Sequence, residues 1–354
     1  MRFLLWATAF ACFYTLGESI GIPPLLAYGA SIVDNVLYIA GGYSATIYAT
    51  IFEINELWSL DLSQPIANLS SPPWKLQGYG PRSTAYSHLI SLDRENLALW
   101  GGTEPYNNQT STTKSMFIYS IQNGDWTWGG ESPTARLFST LVSDGSGGAI
   151  LYGGLEWSQF PVSSKLGNAT FRLDIASRQW TQLDYGGVQP EIRMGHTACM
   201  NRKGEMIILG GFSRGRKGLV PMNEVLVYDV KSNSWTSHKT NGTALPPPRI
   251  GHAATILADD SILIHGGSDP DVTKIYGDFW LLRDWTWTKL EPANAPKYGL
   301  TDHKMFTIGT NVLVLPGRSS VDKKNWMVDL LVLDTTKFAF VPQYTPSTIG
   351  TITN

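Results

Sequence analysis

A chain of 354 residues and 39.0 kDa, with 43% hydrophobic and 16% charged residues, has ample apolar surface for a packed core. Lys and Arg number 27 against 29 Asp and Glu, and the resulting net charge of -2 excludes a nucleic-acid or anionic-membrane surface built on bulk charge. The 35 glycines and 13 tryptophans favour tight turns between strands anchored by large aromatics, which points to an all-β chain.

Residues 1–19 carry one Arg, an apolar run from Phe3 to Leu16, and then Gly17, Glu18 and Ser19, the layout of a secretory signal peptide cleaved after Gly17 or Ser19. The run is shorter than the roughly 20 residues of a membrane span. No other segment is long and apolar enough to cross a bilayer, so the expected location is secreted or within the secretory pathway. Sequons at Asn68, Asn108, Asn168 and Asn241 fall in stretches read as loops and are candidate N-glycosylation sites. Cys12 leaves with the signal peptide, so Cys199 stands alone in the apolar run Thr197-Ala198-Cys199-Met200, the setting of a buried inert thiol.

The remaining chain is periodic. Apolar runs ending in a glycine pair recur at Gly42, Gly102, Gly154, Gly211 and Gly267, with a degraded sixth at Gly317, and the interval between copies varies little. A second apolar stretch follows each, ending at Asp61, Ser120, Asp174, Asp229, Arg283 and Asp334. In four copies an aromatic stands at one constant step beyond that end: Trp126, Trp180, Trp235 and Phe340. Upstream, Arg136, Arg193 and Arg249 share a single separation from Gly153, Gly210 and Gly266, the first glycines of their pairs. Arg82 stands slightly further from Gly101, which a longer SLDREN turn would explain.

Each copy therefore predicts four short antiparallel strands, one blade of a six-bladed β-propeller. The unbroken apolar runs suit sheets covered on both faces by their neighbours, and Trp126, Trp180 and Trp235 are expected to fill the space between blades. The expected organisation is one propeller over 20–345, with blades at about 25–76, 82–128, 136–183, 193–237, 249–290 and 299–341 and a flexible tail at 346–354. No terminal strand is visibly exchanged to close the ring, although the STIGTIT tail is available to do so.

The glycine pair, the Tyr228-Asp229 type of dipeptide and the spaced Trp resemble the kelch repeat family over about residues 25 to 341, most closely in copies two to four. Within that family the chain resembles the solitary, secreted, fungal-type kelch proteins. That resemblance implies a binding scaffold. Its copper oxidases need a Cys-Tyr crosslink with a Tyr/His copper set, and its iron-dependent specifiers need spaced Glu, Asp and His; neither set is evident, so no metal, cofactor or catalytic residue is expected. Gly211-Phe212-Ser213-Arg214-Gly215 matches a hydrolase elbow, but no helix follows and Gly211 already belongs to the repeat.

In this architecture the second-to-third-strand loops and the interblade loops share one face. The former are long here and carry aromatics, of which Trp157, Phe212 and Trp326 are candidate apolar anchors. Arg82, Arg136, Arg193 and Arg249 reach the same face; by resemblance to cytoplasmic kelch adaptors they ring the channel mouth and grip carboxylates, or else they bond interblade carbonyls. His196 and His252, at equivalent positions just after a repeat Arg, face the channel or fill core positions. The expected partner is a protein, peptide or glycan. The alternative is an accessory protein or enzyme of small-molecule secondary metabolism, with its ligand in the channel.

Overall fold

The structure, a computed structural model, describes residues 22–45, 51–106, 109–159, 162–167, 169–319 and 329–347. The expected signal peptide, Asn108, Asn168, Trp326 and the last residues of the tail lie outside them. Strands and turns make up the described residues, without helix.

Six blade sheets follow one another along the chain, each of four antiparallel strands, with Gly186–Gly187 added in parallel to the outer strand of blade four. Their first strands are Gly29–Val33, His88–Ser91, Thr140–Ser143, Thr197–Met200, Ala253–Ile256 and Met305–Ile308, and they line a central channel. The second strands lead to the glycine pairs and are almost wholly buried, whereas the third strands are buried at half or more of their positions. The fourth strands, such as Ser234–Lys239, lie on the outer side and are mostly exposed or half-buried.

The apolar core is correspondingly divided into seams between successive sheets rather than gathered at one centre. Tyr152 of blade three packs at a tilt against Trp235 of blade four at 4.8 Å between centroids, and Trp100 of blade two against Trp180 of blade three at 5.3 Å. Trp287 joins the seam of blades four and five, and Phe340 that of blades five and six. Burial differs among these aromatics: Trp235 and Trp287 are fully covered, whereas Trp126 and Trp180 are half-buried at the rim of their seams.

The glycine pairs also serve the seams. Gly153 and Gly154 have φ of 66° and 86°, a region open to glycine, and Gly154 N donates to Arg193 O of the next blade at 2.8 Å. A Cβ on Gly153 would be driven into that same carbonyl. Equivalent bonds run from Gly42 to Thr84 (2.7 Å), Gly211 to Arg249 (3.0 Å) and Gly267 to Leu300 (2.7 Å).

The ring closes without strand exchange among the described residues. Blades one and six share an apolar cluster that includes Leu25, Trp58, Trp74, Leu313, Val332 and Tyr344. Tyr344 pairs with Ile66 through its backbone, and its hydroxyl donates to Leu62 O at 2.9 Å.

Candidate functional site

At the long-loop face each first strand is preceded by a residue of positive φ: Ala27 (56°), Tyr86 (56°), Phe138 (55°), Gly195 (65°), Gly251 (64°) and Asp302 (57°). These residues are bonded blade to blade through the main chain. The amides of Tyr86, Gly195, Gly251 and Asp302 donate to the carbonyls of Ala27, Phe138, Gly195 and Gly251 at 2.6 to 3.0 Å. Ala27 N donates to Asp302 O at 3.4 Å between the first and last blades, while no such main-chain bond joins Phe138 to Tyr86. The long-loop end of the channel is thus its narrow end. Side chains are distributed unevenly around it: Tyr86 and Phe138 pack at 4.3 Å between ring centroids, Tyr43 stands edge-on to Tyr86 at 5.8 Å, and glycines occupy blades four and five.

The arginines are internal clamps. Arg136, Arg193 and Arg249 are 2%, 2% and 0% exposed. Their guanidinium groups donate to the first glycine carbonyl of their own blade: Arg136 to Gly153 at 3.0 Å, Arg193 to Gly210 at 3.4 Å and Arg249 to Gly266 at 2.8 Å. The constant separation of 17 residues is the span of that bond. Arg249 is further held by both oxygens of Asp278, at 2.7 and 2.9 Å. Desolvation lowers the Arg136 guanidinium to about 10. A ligand carboxylate has no access to these groups, so the carboxylate-gripping role is corrected to a structural one.

The register of Arg82 is also corrected. The SLDREN turn has the same length as its counterparts, because the step from Tyr86 to Gly101 equals the step from Phe138 to Gly153. Thr84 stands 17 residues before Gly101 and donates to its carbonyl at 3.3 Å, filling the clamp position. Arg82 reaches that carbonyl at 3.4 Å from two residues upstream and also donates to Thr113 Oγ1 at 2.7 Å.

His196 and His252 are buried pegs between blades. Thr140 of blade three meets His196 Nε2 of blade four at 3.0 Å, and Thr197 of blade four meets His252 Nε2 of blade five at 2.8 Å. His88 and Ser139 repeat the pattern between blades two and three, at 3.0 Å with the roles of the residue types reversed. Burial pushes both His196 and His252 down to about 3, so both are neutral. Sequence reasoning missed a third equivalent, His303, because Leu300 replaces the leading Arg; it bonds His265 at 3.0 Å instead. Cys199 is buried and its thiol is pushed up to about 12. Ser213 lies buried in a two-stranded hairpin, Phe212–Ser213 with Gly218–Leu219, rather than at an exposed elbow.

Several stretches read as loops are ordered strand pairs. Thr103–Tyr106 pairs with Gln109–Thr112, and Leu155–Gln159 with Val162–Leu166. The two hairpins join through Ser111 and Ser158 into one four-stranded sheet above blades two and three. Trp157 lies on this added sheet, and Phe212 is half-buried in the smaller hairpin of blade four. The second-to-third connection of blade one adds Tyr43–Ala45 and Ile51–Glu53, which pair with each other, while Tyr43–Ala45 also pairs with Leu25–Leu26. The glycosylation candidates Asn68 and Asn241 are exposed.

Six radial blades, glycine-pair seams and an elaborated loop face define a kelch-repeat β-propeller. The chain belongs to the KLHDC2/KLHL20/DRC7 Kelch-repeats domain family, whose pattern matches residues 15–211 and 140–351. It is similar to human Kelch domain-containing protein 10, with 26% identity over 78% of this chain and 62% of that protein. It is similar also to Acyl-CoA-binding domain-containing protein 5 of Arabidopsis thaliana, with 23% identity over 72% of this chain and 38% of that protein. The chain thus spans less than two thirds of these relatives. Among solved structures, that of YjhT superposes with a TM-score of 0.70 at 14% identity, covering 90% of this chain and 97% of that one.

Proposed function

We propose that the chain is a non-enzymatic scaffold that binds a protein or peptide on its long-loop face, beside the sheet raised over blades two and three. The observation that supports this reading is the added sheet itself. The repeat needs only a short connection at these positions, yet blades two and three each extend a hairpin and the two pair through Ser111 and Ser158. Its outer strands, Thr103–Tyr106 and Val162–Leu166, are sheet edges on which an extended peptide can add a strand through main-chain bonds. The aromatic row Tyr43, Tyr86 and Phe138 lies at the channel mouth on the same face. Secretion and N-glycosylation at Asn68 and Asn241 belong to the same proposal, since both side chains are exposed.

Peptide-display selection on the full chain, followed by replacement of residues 104–111 with a two-residue turn, tests it. Selected peptides should lose at least tenfold in affinity for the shortened variant while its melting temperature changes little. Peptides that bind both forms equally would refute the assignment of this face.

A further inference from the structure

The central channel encloses about 560 Å³, within the range of small-ligand sites. At the narrow end its wall carries Asp302 and, two residues further in, Lys304, which is exposed to the cavity yet surrounded by protein. In the ring of equivalent positions Lys304 stands between Gly29 and Ala253, the two smallest members. The other positions carry His88, Thr140 and Thr197, each bonded to the next blade. No hydrogen bond or ion pair of the Lys304 ammonium occurs among the described residues; its electrostatic neighbour is Asp302. Arg318 also acts electrostatically on that carboxylate.

The remaining charges lining the channel cancel. Asp144 pairs with Arg172 at 2.7 Å, and Arg202 with Asp260 at 3.8 Å. Between the two ends the wall mixes half-buried Ile90, Val142, Met200, Ile256 and Phe306 with Ser31, Ser91, Ser143 and Thr255. At the far face the cavity reaches Gly145, Arg202 and Asp260 in the first-to-second-strand turns, and no main-chain ring crosses there among the described residues.

We propose that the channel binds a small amphipathic carboxylate that enters from the face opposite the long loops, its head paired with Lys304 and its apolar chain lying along Ile90, Val142, Ile256 and Phe306. An ammonium that makes no hydrogen bond among the described residues, at the narrow end of a channel carrying an apolar stripe, favours one anionic head and one hydrocarbon tail. Burial also lowers the Lys304 pKa, a desolvation that an anion beside it relieves. The site does not depend on the long-loop face, so either reading can fail without the other.

Calorimetric titration of the full chain with decanoate, decanol and decylamine tests it. Decanoate should bind with one site, at least tenfold more tightly than decanol, and decylamine should not bind. Lys304→Met should remove that preference with unchanged melting temperature, and Lys304→Arg should retain it. Ile256→Trp, which fills the tube without touching the charge, should abolish binding of decanoate and decanol alike. Equal affinities for decanoate and decanol, decanoate binding that survives Lys304→Met, or no decanoate binding at millimolar concentration would each overturn the proposal.

Discussion

Ala27 N and Asp302 O, near opposite ends of the repeat array in sequence, lie 3.4 Å apart across the junction of the first and last blades. The bond is the longest of five such main-chain links between blades, the others measuring 2.6 to 3.0 Å, and Tyr86 and Phe138 meet through their rings instead. It ties the start of the array to its end at the channel mouth, while Tyr344 and Ile66 tie the outer rim. Truncation before Tyr344 should therefore open the seam of blades one and six first. Hydrogen exchange should show faster exchange at Ile66 and Leu330, whose amides bond Tyr344 O and Leu69 O, with the seam of blades three and four unchanged. A uniform loss of protection would indicate that the ring opens as one unit.

Trp235→Ala should destabilise by about 3 to 5 kcal/mol, because a fully covered indole packed against Tyr152 and Tyr228 leaves a large cavity. Trp180→Ala should cost less, since Trp180 is half-buried beside Trp100. Denaturant midpoints order the two. The reverse order would contradict the seam geometry.

Arg249→Ala should lower stability by about 3 to 5 kcal/mol, because it strands the Asp278 carboxylate that the guanidinium holds with two bonds. Affinity for a long-loop-face ligand, measured per folded molecule, should be unchanged. Loss of affinity with unaltered melting would restore a ligand role to this Arg.

Acid sensitivity should begin well above the carboxylate range. Burial pushes His88, His196, His252 and His265 from 6.5 to about 3, so below 6.5 the unfolded chain takes up protons that the folded chain refuses. Their contribution is complete above 6.5 and is lost progressively as pH falls towards 3. Asp302 opposes them between 3.8 and about 6, where its raised pKa makes the folded form the better proton acceptor. Asp278, held below its usual value of 3.8, adds its loss only at lower pH. His196→Gln, which retains an amide to meet Thr140, should flatten the fall in melting temperature between pH 6.5 and 4. An unchanged slope would mean that His196 takes up its proton equally in the folded and unfolded chain.

Cys199 should resist thiol reagents in the native chain and react at once after unfolding, since burial both hides the sulfur and suppresses its thiolate. Modification without loss of structure, followed by mass, would place the residue at an accessible surface.

The architecture was legible in the sequence because a blade is a local object. Its four strands are consecutive, its glycine pair marks the exit of the second strand, and the constant step from Arg193 to Gly210 is a bond within one blade. Reading that Arg as a ligand group failed because sequence spacing gives the position of a side chain but not its direction. Inward, the guanidinium finds the Gly210 and Glu224 carbonyls. Thr84 escaped notice for a related reason: a threonine at the clamp position has no motif, while Arg82 nearby imitates one.

Sequence alone determined the six-blade repeat, the all-β class and the burial of Cys199, because each follows from patterns contained within a single repeat or its recurrence. Tertiary structure alone decided which residues meet across blades: His196 with Thr140, Ala27 with Asp302, and the hairpins of blades two and three through Ser111 and Ser158. These contacts depend on the rotation of one sheet against the next, and the same rotation decides which side chains of the other first strands face Lys304 across the channel. Neither quantity has a local signature in the chain, since both arise only when six sheets close around a common axis.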